Sequence, residues 1–109
     1  MGPLGLEVGQ KARRTQTVTS EDVELYARLT GDRNPLHFDA DFAARTRFGR
    51  LVAQGGIAAG MLNALVAMDL PGPGTVFMSQ SLKYLAPITN QAGAVLLEGE
   101  CWTYTMRPA

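Results

Sequence analysis

Apolar positions recur at helical spacing where Val23, Tyr26, Ala27 and Leu29 fall on one face, which predicts a short amphipathic helix over Glu21–Leu29. Thr19 or Ser20 can accept its orphan N–H groups, and Glu21 and Asp22 suit its positive end. Thr30-Gly31 ends it. From about Gln54 to Asp69 the chain is apolar almost all round, and a helix hydrophobic on every face is expected to be buried. Pro71-Gly72-Pro73-Gly74 stops that helix. Thr75–Leu85 reads as a strand with Val76, Met78, Leu82 and Tyr84 on one face. Asn90–Gly93 reads as a turn, and Ala94–Met106 as a last strand with Gly99 as a candidate bulge. Earlier, the Thr and Val content of Gln10–Val18 suits an edge strand. Asp39–Arg45 suits one or two helical turns, and Phe48-Gly49-Arg50 a loop. The order is strand, helix, polar loop, buried helix, strand, strand. An antiparallel sheet wrapped around a central apolar helix buries that helix economically, so an α+β fold in one domain over residues 1–109 is expected.

Charge narrows the partners. Ten Lys and Arg balance ten Asp and Glu, so no basic excess invites nucleic acid and no acidic run marks a solvated tail. Near-zero net charge weakly favours self-association, and so short a chain leaves much of its surface exposed. A partner subunit would therefore help. Cys101 is the lone cysteine, which excludes an internal disulfide and a cysteine zinc cage; it reads as a packed small hydrophobe in a reducing, cytoplasmic setting. The most apolar stretch, Ile57–Leu70, contains Asn63 and Asp69 and is too short to span a bilayer. The N-terminal residues lack the apolar core of a signal peptide, so a soluble protein with no membrane partner is expected.

Two features carry candidate chemistry. Asp32 and His37, the only histidine, share the polar loop Asp32-Arg33-Asn34-Pro35-Leu36-His37, in which Pro35 forbids continuation of the preceding helix. A carboxylate and an imidazole on one stiff turn can both address one water molecule, one removing a proton while the other donates one. Asn34 can hold the loop through hydrogen bonds to nearby backbone. Gly55-Gly56 begins the apolar helix, where unpaired N–H groups and the positive dipole end can receive a developing oxyanion. The plainer readings are a capped turn with a surface histidine and a glycine pair that eases packing. Asn34, Gly56, Ile57 and Met61 are candidate substrate contacts, with core packing the simpler role for Ile57 and Met61.

The stretch YARLTGDRNPLHFDADFAARTRFGRLVAQGG resembles the signature of the MaoC-like (R)-specific enoyl-CoA hydratases through Tyr26, Leu29, Thr30, Gly31, Asp32, Asn34, Pro35, Leu36, His37 and Ala43. The following residues to Ile88 look like that family's central helix and next strand. The resemblance implies a hot-dog fold and reversible hydration of trans-2-enoyl-CoA to (R)-3-hydroxyacyl-CoA. It implies that Asp32 and His37 bind the catalytic water and that the Gly55 N–H polarises the thioester carbonyl. It also implies a dimer, and no metal or redox cofactor, CoA arriving with the substrate. Two departures stand out. Many relatives carry His-Gly where this chain has Gln54-Gly55. Relatives also carry two further long strands after the equivalent of Pro87, leaving this chain short by roughly 25–30 residues. A three-stranded sheet that covers the helix incompletely is expected. Two other readings share the fold: a hot-dog acyl-CoA thioesterase, and a non-catalytic acyl-CoA-binding or assembly subunit.

Overall fold

The computed structural model describes residues 5–89 and 97–106. Helix α1 spans Ser20–Thr30. Thr19 caps it in a reciprocal box: its hydroxyl accepts the Asp22 N–H, and the Asp22 carboxylate accepts the Thr19 N–H. Gly31 ends the helix at φ 82°, a left-handed position that glycine adopts without steric penalty, and its N–H returns to the Ala27 carbonyl at 2.7 Å. Two short helices follow, α2 (Pro35–Phe38) and α3 (Ala40–Ala44). Pro35 thus does more than stop α1. A proline at the first helical position lacks only an N–H that would be unpaired anyway, so it starts a new turn. Helix α4 spans Gly55–Met68, and strands β1 (Thr75–Tyr84) and β2 (Leu97–Thr105) pair antiparallel.

The sheet has two strands among the described residues, not three. The Gln10–Val18 segment forms no ladder there; it lies along the surface, where the Arg14 guanidinium grips the Asp69 carboxylate at the end of α4. β-forming side chains without a neighbouring strand edge do not make a strand. The expected turn at Asn90–Gly93, and Ala94–Leu96 of the last strand, lie outside the described residues.

The pairing runs from Thr75 opposite Thr105 to Tyr84 opposite Leu97, and it slips between Phe77 and Ser79. The bulge therefore sits at Met78, not at Gly99. It reverses the alternation beyond it, so Phe77 rather than Met78 joins Gln80 and Leu82 on the side of α4. Met78, Trp102 and Tyr104 are exposed, and so is Cys101, which the sequence suggested as packed. Gly99 serves close approach instead: a side chain there collides with the Ser81 carbonyl of the paired strand.

Helix α4 is apolar as expected, yet no residue of it is buried within the chain. Among the described residues the buried hydrophobic ones are Ala27, Ala43 and Val52, in or beside the helices that precede α4. The chain exposes 8121 Å², against about 5,900 Å² for a compact protein of this size. Its radius of gyration is 16.6 Å where about 13 Å is usual for this length. Among the described residues, two strands and the end of α1 leave this fourteen-residue helix half-buried, with Gly60, Leu62 and Met68 exposed.

Candidate active site

Local hydrogen bonds build the Asp32–His37 turn. The Asp32 N–H donates to the Thr30 hydroxyl, and Asp32 Oδ1 accepts the Asn34 N–H at 3.2 Å, an Asx turn. Asn34 Oδ1 in turn accepts the Leu36 N–H at 3.0 Å and caps α2. Asn34 therefore shapes the turn; its carbonyl oxygen is already engaged. Outside the turn, Arg33 forks onto Glu24 of α1 through two hydrogen bonds of 2.9 and 3.2 Å. The guanidinium holds the Glu24 carboxyl below its ordinary range, chiefly through those bonds.

His37 is fixed from the other side. Its Nδ1 lies 2.7 Å from the Val52 carbonyl oxygen, and the Val52 N–H donates to the Leu36 carbonyl at 3.2 Å. A carbonyl only accepts, so Nδ1 carries a proton, and in its neutral form the ring presents a lone pair at Nε2. That Nε2 faces Asp32 Oδ2 at 3.8 Å, with the imidazole nearly buried and the carboxylate partly open. With the ring neutral these are two acceptors, and neither has a proton to give the other. One water donating a hydrogen to each satisfies both and keeps its own lone pairs free. The sequence pointed to Asp32 and His37. It did not point to Val52, because a main-chain carbonyl has no residue signature.

The tip of α4 begins two residues after Val52. Gln54 is its N-cap and makes no side-chain bond to the helix, so the first N–H groups are not taken by a cap. Gly55 and Gly56 are required by their neighbours. A Cβ at Gly55 comes within 3.0 Å of the Tyr84 ring, and one at Gly56 collides with the Tyr26 hydroxyl. Glycine thus lets α1 and β1 close on the helix tip. The Leu36–Val52–His37 bonds join the turn to the segment that leads into the tip.

Farther along α4, a crevice of about 220 Å³ opens between the helix and the sheet. Leu62, Val66, Phe77 and Leu82 give it apolar walls, and Asn63 and Gln80 add polar groups. The anticipated contacts Ile57 and Met61 do not line it; the adjacent stripe of α4 does. Among the described residues no group of three or more His, Cys, Asp and Glu is placed to hold a metal ion, and no helix is long and apolar enough to cross a membrane.

Comparison with known proteins bears on the family and the fold. The family model described as MaoC like domain matches residues 5–97. The chain is 46% identical over 83 residues to a 3-hydroxybutyryl-CoA dehydratase of Methylorubrum extorquens, covering 76% of this chain and 53% of that one. It is 40% identical over 88 residues to an (R)-specific enoyl-CoA hydratase of Aeromonas caviae, covering 81% and 66%. The chain thus spans about half to two thirds of the length of these curated relatives. A solved structure titled as the (R)-hydratase from A. caviae involved in PHA biosynthesis superposes with a TM-score of 0.83 at 29% identity, covering 94% of this chain and 98% of that one. The fold is therefore a hot-dog fold with a reduced sheet, and the chain belongs to the MaoC-like dehydratase domain family.

Proposed function

We propose that this protein catalyses reversible hydration of a trans-2-enoyl-CoA to the (R)-3-hydroxyacyl-CoA. The observation that carries the reading is the pair of acceptors, Asp32 Oδ2 and His37 Nε2, 3.8 Å apart with the ring tautomer set by Val52. Water held between them attacks C3 of the enoyl thioester. Negative charge moves through C2 to the thioester oxygen, and the Gly55 N–H at the positive end of α4 stabilises it. One of the pair takes the water proton, and C2 receives a proton from the pair, so water adds across the double bond with no redox change. The reaction as written calls for no metal or redox cofactor; CoA enters with the substrate.

The crevice suits the acyl tail. At 1.5 Å per residue, Leu62 lies about 10 Å along the axis from Gly55. An extended chain advances about 1.2 Å per bond. Short acyl groups end before the crevice, and medium ones of roughly nine carbons or more enter it. The incompletely buried α4 and the surface excess of about 2,200 Å² fit a second copy of this chain, since obligate partners hide areas of this order. We assign the homodimer to the cytoplasm on the strength of its unpaired Cys101.

The test follows loss of enoyl-thioester absorbance, release of free thiol and acyl-CoA binding in parallel. Hydration without thiol release supports the proposal. Thiol release without hydration makes the protein a thioesterase, and binding without either makes it a carrier or assembly subunit.

A further inference from the structure

Gln54 is 1% exposed, the deepest polar side chain among the described residues. Its Nε2 donates to the Val23 carbonyl of α1 at 3.0 Å, across 31 residues. That bond fixes the orientation of the amide, because two carbonyl oxygens do not attract each other. The other end, Oε1, is buried with no donor. Packing alone does not call for this residue: an apolar side chain of the same length fills the space and leaves no carbonyl unpaired. What the amide adds is a tether from the residue before Gly55 to the helix whose C-terminal end leads into Asp32. Tyr26 of the same helix closes on Gly56, and Tyr84 of β1 on Gly55. The tip of α4 is therefore held at three adjacent positions, and Gln54 supplies the one directional bond.

We propose that Gln54 is a positioning residue that fixes the first turn of α4 against α1, so that the Gly55 N–H keeps its place relative to the Asp32–His37 pair. This rests on the hydratase reading. Gln54→Met removes the amide and keeps the length. It is expected to lower kcat about 10–100-fold with KM unchanged, because small misplacements of catalytic groups carry penalties of this size. Gln54→His, which offers a ring N–H to Val23, is expected to retain most of the rate. A Met variant with wild-type kcat per folded molecule overturns the inference. Two nuclear magnetic resonance readouts need no turnover. In the wild type the Gln54 side-chain amide protons should exchange slowly, and in Gln54→Met the Gly55 amide resonance should shift. Side-chain protons that exchange as fast as those of a free glutamine, or an unmoved Gly55 resonance, refute the tether even where the wild type shows no hydration. Absent hydration with both resonance results as expected defeats the functional reading and, with it, the catalytic purpose of the tether, while the tether itself stands.

Discussion

Substituting Asp32 by Asn isolates the acceptor pair. Asp32 Oδ1 accepts the Asn34 N–H, so the amide oxygen of the variant stays there and its Nδ2 takes the place of Oδ2. That nitrogen faces His37 Nε2 across the 3.8 Å gap. A donor now meets the imidazole lone pair where an acceptor stood, and a water can no longer donate to both groups. Removing one member of a positioned acid–base pair typically lowers the rate about 10²–10⁴-fold, or roughly 3–5 kcal/mol of barrier. The fold should not notice. The Asx turn survives, the carboxylate is partly exposed, and substitutions of this kind change stability by about 0.5 kcal/mol or less. The assay is enoyl-CoA hydration under saturating substrate, with thermal unfolding of both proteins alongside. A variant that hydrates at the wild-type rate refutes the shared-water geometry. A variant that loses activity together with its unfolding transition shows that Asp32 acts through the fold.

Other substitutions test other parts. Gly56→Ala drives a methyl group into the Tyr26 hydroxyl and should destabilise by about 1–3 kcal/mol, whereas Gly60→Ala, with open space around it in mid-helix, should stabilise by about 0.5–1 kcal/mol; thermal melts with the opposite order would contradict both contacts. Val66→Phe adds four carbons to the crevice wall, which at about 0.8 kcal/mol per displaced methylene predicts a roughly 200-fold loss of kcat/KM on medium chains and little on the shortest; equal losses at all lengths would place the tail elsewhere. Glu24 titrates below its ordinary value because Arg33 bonds its charged form, so its share of stability is complete above the unfolded carboxylate value and disappears as pH falls through the lowered one. Arg33→Ala should move the Glu24 titration up, read by carbonyl chemical shift; an unmoved titration would refute the pairing. Sedimentation should give twice the chain mass, and a monomer at all concentrations would leave the exposed face of α4 unexplained.

The readable parts of this chain are those fixed by local chemistry. The start of α1 follows from the Thr19 box, its end from Gly31, and the extent of α4 from an apolar run stopped by Pro71. Asp32 and His37 are legible because their turn is closed by short-range bonds through Thr30 and Asn34. What depends on distant partners is not legible. Gln10–Val18 has strand composition and finds no strand beside it. Met78 and Phe77 exchange faces through one extra residue that no local pattern marks. The apolarity of α4 correctly identifies a helix that needs covering, but not whether this chain supplies the cover. Gln54 looks like a mere absence of histidine until the Val23 carbonyl is seen beside it.

The imidazole of His37 is oriented by a peptide group, not by a side chain. Every amino acid brings the same oxygen to position 52, so sequence drift there cannot erase the acceptor. Proline alone alters the peptide hydrogen bonding, and it removes the N–H that reaches Leu36 while sparing the oxygen that reads the ring. The tautomer of the neutral His37 ring is thereby inherited with the backbone path, and any side chain that fits the buried place at position 52 leaves the same ring nitrogen facing Asp32.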